Sequence, residues 1–474
     1  MIEKVVSEKC QVFTPKTVVF ELLNAIDYRA NLYGKKVIEN ACGDGNILVE
    51  IVRRYIQSAI DEKKSSNEIK KGLEQDVYGA EIDIIHYQNC IKNLDQVSNS
   101  FGIEKVQWNI LNGDFLDKEH NAIFDYVIGN PPYINYRELS VNLRSVLKER
   151  FSSCGSGKFD YCYAFIEASI NSLKTTGKLA YLIPNSIFKN VFAEKLREIV
   201  LPSLTKVIDY KSKKIFEKAL TSSSIIVCDN SVNKEWIEYK DKVSGEKVQV
   251  NKLELKKTEK WIFSGIDPNK GNSRFGDKFI ARIGVATLLN EAFIIKKWDV
   301  YKNKILVEGF EIEKKIIRVA VSPRSMNFNK REYIIFPYKY NEGELNRYSE
   351  QEFEGLFPGT SKYLEKFKDS LRKRKADKSV KWFEYGRTQA LAHLNQPKLL
   401  LSTVVTKEVK VYELDREFIP YSGIYITARE GGSLLEAKRI LESDEFLKYV
   451  KLIGTNANGS SLRITSKDIN NFVY

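Results

Sequence analysis

Three histidines and six cysteines in 474 residues, with no C-x-x-C pair, leave little from which to build a metal site. The cysteines stand at 10, 42, 90, 154, 162 and 228, an arrangement that argues against a disulfide framework and suits a reducing compartment. No apolar run approaches the ~20 residues that would span a membrane. The opening stretch MIEKVVSEKCQVFTP lacks the continuous apolar core of a secretory signal. There is no repeat of fixed period and no low-complexity tract. A cytoplasmic chain is expected, long enough for two domains of roughly 200 to 250 residues each.

Charge is plentiful but uneven. From Trp236 onward 44 Lys and Arg face 32 Asp and Glu, so that half carries +12 of the net +13. A lysine-rich solvated surface gives such a balance; so does a surface that meets a polyanion, because phosphate contacts need Lys and Arg. The most basic stretch, YLEKFKDSLRKRKADKSVKWFEYGRTQ (363–389), sets Arg372, Lys373, Arg374 and Lys375 near Trp382, Tyr385 and Arg387, a candidate contact for a nucleic-acid backbone.

Hydrophobic periodicity organises the first half. Residues 15–28 read as a helix, with Thr14 as its N-cap and Pro15 at the first helical position. KVIEN is a short buried strand, ACGDG a tight loop, and NILVEIVRRYI a helix. DVYGAEID, VQWNILNGDFL and FDYVIG supply three more strands with helices between them. FDYCYAFIEASINSLK reads as an amphipathic helix ended by Gly177, KLAYLIP as a strand, and TKVIDY and SSSIIVCD as two more. The charged stretch NSVNKEWIEYKDKVSGEKVQVNK is weakly patterned and reads as a linker. Alternating strands and helices imply an α/β, doubly wound, Rossmann-like domain over 1–235. The less regular remainder, 236–474, reads as an α+β domain. In a doubly wound sheet, ligands bind beyond the carboxyl ends of the strands.

Four such ends carry chemistry. The first holds Glu39 and then Gly43-Asp44-Gly45, glycines that let backbone approach a ligand. The second ends in Glu81 and Asp83, placed for ribose hydroxyls. The third, NGDFLD, offers Asp114 to accept an exocyclic amine and Phe115 to stack on a purine. The fourth is Asn130-Pro131-Pro132-Tyr133, where two prolines follow a buried strand that has no need of them. His86, His120 and His393 show no ligand spacing and take no role.

In that order the motifs QVFTP (11–15), ENACGDGNIL (39–48), GAEID (79–83), NGDF (112–115) and GNPPY (129–133) resemble the γ-class, N6-adenine-specific DNA methyltransferases of the TaqI and Eco57I type. GKFDYCYAFIEASINSLKTTGKLAYLIPNS (157–186) and KIFEKALTSSSII (214–226) extend the resemblance over about the first 230 residues. Scattered pieces of the C-terminal half, WFEYGRTQ, PKLLLS and KLIGTNANGSSLRITSKDI, are similar to the specificity domains of that group.

The resemblance implies S-adenosylmethionine as methyl donor and S-adenosylhomocysteine as product. It places Phe13, Thr14 and Pro15 with the helix start at the methionine carboxylate, and Glu39, Ala41, Cys42, Gly43 and Gly45 around the ammonium and sulfonium. Glu81 and Ile82 fall at the ribose, and Asp114 and Phe115 at the adenine. Asn130, beside the cofactor, and Pro131, Pro132 and Tyr133 become the catalytic tip, with Phe216 a second aromatic wall. It further implies base flipping in double-stranded DNA. A catalytic domain (1–235) would be followed by a DNA target-recognition domain (236–474), in a bacterial, nucleoid-associated monomer. The protein would be either the modification enzyme beside a separate restriction endonuclease or an orphan epigenetic methyltransferase. With the cofactor motif starting near residue 11, no N-terminal nuclease domain is expected. The same tetrapeptide occurs in methyltransferases of protein glutamine and of rRNA, so those substrates stay open, as does a non-catalytic DNA-binding subunit.

Overall fold

Strands and helices alternate through the first 130 residues, as the periodicity predicts. The computed structural model describes residues 14–211, 213, 215–216, 222–263, 271–301, 304–457 and 461–474. The helices α1 (Lys16–Ala25), α2 (Asn46–Asp61), α3 (Ser66–Asp76) and α4 (Ile84–Asn99) separate strands β1 (Val37–Glu39), β2 (Val77–Glu81), β3 (Asn109–Asn112) and β4 (Phe124–Gly129). After them come α5 (Val141–Arg150), α6 (Cys162–Ser172), β5 (Leu173–Pro184), α7 (Glu194–Val200), β6 (Leu204–Asp209), β7 (Ser223–Asp229), β8 (Trp236–Asp241) and β9 (Lys247–Asn251).

The nine strands form one sheet in the order β3-β2-β1-β4-β5-β7-β6-β8-β9. β3, β2, β1, β4 and β5 run parallel, and β7 lies antiparallel between β5 and β6. Both faces are covered. Leu179, Tyr181 and Ile183 of β5 join one buried cluster, with Phe165 of α6 and Leu196 of α7. Their neighbours Ala180 and Leu182 join the other, with Val18, Leu22 and Leu23 of α1, Ile51 of α2 and Leu94 of α4. A period of two along a strand buried on both sides produces this division.

Three local expectations are corrected. The N-cap of α1 is Pro15, with extended backbone (φ −61°, ψ 145°) and no side-chain cap. The hydroxyl of Thr14 instead accepts a hydrogen bond from Asn130 Nδ2, at 3.3 Å. Gly177 does not end α6, which stops at Ser172; it lies inside β5. A Cβ there would stand 2.9 Å from the Phe124 carbonyl oxygen, so close strand approach explains the glycine. The third concerns the charged stretch read as a linker, which forms the β8–β9 hairpin at the sheet edge. Ile237 and Tyr239 are buried while Trp236 is half exposed, a period-two pattern masked by the charges on the open face.

The chain divides into compact units Met1–Ile266 and Asp267–Tyr474, the hairpin falling within the first. The second unit holds smaller sheets. One four-stranded antiparallel sheet is ordered Phe279–Ile283, Ile424–Ala428, Lys398–Leu401, Val411–Leu414. Another contains Ile294–Ile295, Glu332–Ile335, Ile317–Val321 and Phe418–Pro420, and its cluster includes Phe293, Ile334, Phe383 and Tyr385.

If the hairpin belongs to the sheet, Ile237→Ala removes fully buried area and costs about 2–5 kcal/mol in urea unfolding. Lys247→Ala, on the exposed face of β9, stays within about 0.5 kcal/mol. Equal small effects from both would return this stretch to a linker.

Candidate active site

The strand order reverses direction at β1. From β1 the chain builds outward through β2 to β3, then returns to place β4 on the other side of β1. The crevice at such a reversal is where doubly wound sheets take ligands. The structure brings four of the sequence-selected tips to this edge: Glu39 and its loop, Glu81, Asp114 and Asn130 follow or end β1, β2, β3 and β4.

Glu39 is 3% exposed. The backbone N–H of Leu48, in the first turn of α2, favours its ionised form, but Oε2 has no hydrogen-bond partner among the described residues. Burial, with the thiol of Cys90 and the carboxylate of Glu81 nearby, pushes Glu39 well above the usual carboxylate range. A buried carboxylate lacking a partner favours either a proton or a cation. Beside it the loop turns tightly, with Gly45 N donating to Cys42 O at 2.8 Å and Cys42 N to Ala80 O at 3.0 Å. Gly43 and Gly45 both have positive φ, +52° and +83°. A Cβ on Gly43 would meet nothing within 4 Å, so open space lies against its backbone; one on Gly45 would stand 2.8 Å from the Cys90 sulfur. Ala41 is half-buried and Cys42 buried beneath this turn. The loop is pinned to α4 through Asp44: His86 Nδ1 lies 2.7 Å from its Oδ1, and Asn93 donates to its carbonyl.

Glu81 braces the same loop, its Oε2 accepting from Gly43 N at 2.8 Å and its Oε1 from Asp83 N at 2.8 Å. Ile82 beside it is half-buried. Asp114 accepts from Leu116 N and, at 2.7 Å, from the Tyr161 hydroxyl. Burial raises its carboxyl above the usual range, and these bonds offset only part of that rise. Phe115 departs from its expected role. Its ring is 2% exposed, stacked on His120 at 4.5 Å and packed toward Phe165 at 6.3 Å, so it serves the core rather than standing open as a purine platform.

At the fourth tip the Tyr133 hydroxyl lies 2.6 Å from Asn130 Oδ1 and 2.8 Å from the Leu182 carbonyl. One hydroxyl proton serves one acceptor fully, so donating to Leu182 would release Asn130 Oδ1. No hydrogen bond reaches the Pro131 carbonyl among the described residues. Pro131 is buried and Pro132 half-buried, which holds this pair of acceptors in a fixed turn. Thr14, bonded to Asn130, is 6% exposed with Pro15 beside it, and Phe13 lies outside the described residues. Phe216 is 4% exposed and packed in the cluster of Leu22, Ile128 and Tyr210. It fills the core, and the expected open second wall is not formed by its ring here.

Two groups escaped the sequence reading. Asn40, next to Glu39, is buried in a polar triad: its Nδ2 donates to Ser169 Oγ at 2.9 Å, and Tyr181 OH donates to its Oδ1 at 2.5 Å. Asp160 Oδ1 accepts from Ile134 N at 3.2 Å and Cys162 N at 3.1 Å, while Tyr161 N donates to Ile134 O at 2.9 Å. Burial pushes Asp160 up to about 6. Residues 160–161 thus clasp the chain just past Tyr133 and, through Tyr161, hold Asp114. The sequence signal was an Asp-Tyr pair at the start of α6, indistinguishable there from ordinary helix-start residues.

The basic cluster of the second unit is only partly a surface. Arg372, Lys373 and Lys375 are exposed. Arg374 turns inward and donates to the carbonyls of Thr287 (2.5 Å), Trp382 (3.3 Å) and Glu384. Trp382 is buried with its indole N–H on Glu350, Tyr385 is fully buried with its hydroxyl on Ile335 O, and Arg387 pairs with Asp377 at 2.8 Å. Desolvation explains the correction: the aromatics of this stretch complete a core, and two of its cations satisfy polar groups around it.

Sheet order, glycine loop and strand tips are those of a doubly wound, Rossmann-like sheet with its ligand crevice at the reversal. Residues 29–216 match the family model described as Eco57I restriction-modification methylase. That region of the chain is similar to the methylases of restriction-modification systems. The chain is 22% identical to the Type II methyltransferase M.BstVI of Geobacillus stearothermophilus, over 95% of this chain and 87% of that one. To the Type II restriction enzyme and methyltransferase RM.Eco57I of Escherichia coli it is 25% identical, over 64% of this chain but only 35% of the relative. Among solved structures, the Type IIL restriction-modification enzyme MmeI in complex with DNA shares the fold, with TM-score 0.60 and 13% identity over 99% of this chain and 67% of that one.

Arg374→Ala strands three buried carbonyls and lowers stability by about 2 kcal/mol or more in chemical unfolding. Arg372→Ala changes it by no more than about 0.5 kcal/mol. A neutral Arg374→Ala would mean that this guanidinium is available for another task.

Proposed function

We propose that the chain transfers a methyl group from S-adenosylmethionine to N6 of an adenine in duplex DNA, as the modification activity of a restriction-modification system. The observation that carries this is the Asn130-Pro131-Pro132-Tyr133 turn at the carboxyl end of β4, beside the glycine loop of β1 at the reversal of the sheet.

The cofactor fits the residues present. Its ammonium supplies the cation that the Glu39 carboxylate lacks, and the open backbone of Gly43 admits its chain. Glu81 keeps acceptor capacity for ribose hydroxyls beyond its two backbone bonds. Asp114 is the acceptor for an adenine amine. When bound, the cofactor supplies an electrophilic methyl group.

Everything else is asked of the chain. An adenine amine is a poor nucleophile because its lone pair is delocalised into the ring. Asn130 Oδ1 and the Pro131 carbonyl, aimed at its two N–H bonds, favour a tetrahedral nitrogen and localise that pair. This is preorganised electrostatic stabilisation, and it needs no strong base. The Tyr133 ring offers a face to a base taken out of the duplex, a stack worth ~1–3 kcal/mol. Its hydroxyl, with Leu182 O as an alternative acceptor, keeps Asn130 Oδ1 oriented until the amine arrives.

Labelled methyl donor offered with DNA, RNA and protein identifies the substrate. Label is expected in DNA, as N6-methyladenine; label in RNA or protein instead refutes the proposal. Asn130→Ala lowers the methylation rate at least about 100-fold. Tyr133→Phe, which keeps the ring, stays within about tenfold. Survival of full activity in Asn130→Ala removes the mechanism.

The cofactor site carries a pH signature. Burial raises Glu39 in the free protein, whereas a bound cation favours its ionised form. Affinity for S-adenosylhomocysteine, which bears the same ammonium, therefore falls as pH drops through that raised value, and binding below it releases a proton. Calorimetry in buffers of different ionisation enthalpy measures this release. Glu39→Gln should bind more weakly at high pH and lose the release; an unchanged pH profile would detach Glu39 from the ligand.

A further inference from the structure

We propose that the turn Ser322–Arg331 of the second unit is an element that reads duplex DNA. This rests on the proposed function above. From Lys314 to Arg331 the chain has six Lys and Arg and no Asp or Glu. Arg318 within this run is committed to Glu417, 3.4 Å away. Arg324, Lys330 and Arg331 are exposed and form no ion pair among the described residues. Elsewhere in the unit many cations are neutralised in place, among them Lys278 by Glu436, Lys304 by Glu311, Lys366 by Glu308 and Arg387 by Asp377.

The tip of the turn has the chemistry of base recognition. Phe328 is 61% exposed, and Lys330 lies over its ring at 6.0 Å. It is the one aromatic among the large exposed hydrophobics of the described part of this unit. Asn327 and Asn329, both exposed, flank it. Amides suit the N6/N7 edge of adenine, and an apolar ring suits a thymine methyl or a gap between base steps.

The tip is also held rigidly, which lowers the ordering cost of binding. Ser322 and Ser325 form a reciprocal capping box, both buried, with Pro323 at the first helical position. Phe328 N donates to Arg324 O, Asn329 N to Met326 O, and Lys330 N to Ser325 O at 2.8 Å. Asn329 has φ +49°, the left-handed reversal that closes the turn. Met326 anchors the turn against the cluster of Val321, Leu400 and Leu414. Duplex DNA is the occupant that matches unpaired cations around exposed amides and one ring.

The test uses full-length variants, a duplex containing the site methylated by the wild type, and an unrelated duplex of equal length. Arg324→Ala/Lys330→Ala/Arg331→Ala should weaken binding to both duplexes at least tenfold. It should also flatten the plot of log affinity against log salt by ~0.9 for each phosphate that is no longer neutralised. Asn327→Ala/Phe328→Ala/Asn329→Gly, the glycine keeping the left-handed backbone, should leave the unrelated duplex unaffected and reduce preference for the site at least tenfold. All six positions are exposed, so unchanged thermal midpoints are expected and verify folding. Wild-type-like binding, salt slope and preference in both triple variants overturn this inference alone. A wild type that neither binds nor methylates DNA overturns the functional proposal and this inference with it.

Discussion

Glu39 is a carboxylate that the fold buries without completing its hydrogen bonds. The Leu48 N–H at the start of α2 gives partial compensation, and Oε2 receives none among the described residues. Such a group is costly to keep ionised in an apolar surround, so it either holds a proton or calls for a cation. Its position makes that demand useful. β1 delivers it to the point where the sheet reverses, Gly43 leaves the adjacent space open, and β4 brings Asn130 to the neighbouring strand end. The proposed cofactor site and the proposed catalytic tip are thus parts of one edge, set by strand order.

Polar networks behind that edge hold it in place. Asn40 ties β1 to α6 and β5 through Ser169 and Tyr181. Asp160 and Tyr161 fasten the exit from the Asn-Pro-Pro-Tyr turn and the Asp114 tip to the start of α6. The proposed reaction needs two acceptors at fixed positions, and looseness there would lower the rate more than it lowers stability. Buried networks that are nearly fully satisfied provide the required stiffness.

The sequence revealed what depends on periodicity and on backbone chemistry. FDYVIG followed by two prolines marked both a strand and the turn that ends it, and alternating elements marked the doubly wound sheet. Three kinds of feature were hidden. The β8–β9 hairpin looked like a linker because charged residues cover its open face. Phe115 and Phe216 are aromatic at motif positions, but spacing does not tell a ring in the core from a ring on a surface. Arg374 and Arg387 stood in the most basic stretch, yet each finds its partner only when the chain folds back on itself. The exposed turn at Phe328 was missed for the opposite reason: its three cations are spread thinly, and only the structure separates paired from unpaired ones.

The proposed division of labour, in which a sheet edge performs chemistry and a basic unit selects where it happens, has one direct test. DNA from a host free of adenine methylation, expressing only this chain, is sequenced with base-resolved detection of methyl groups. The account predicts N6-methyladenine at one fixed position within a single recurring sequence, and none in a host expressing Asn130→Ala. Methyl groups on cytosine, adenine methylation scattered without a shared sequence, or an unmodified genome would contradict it.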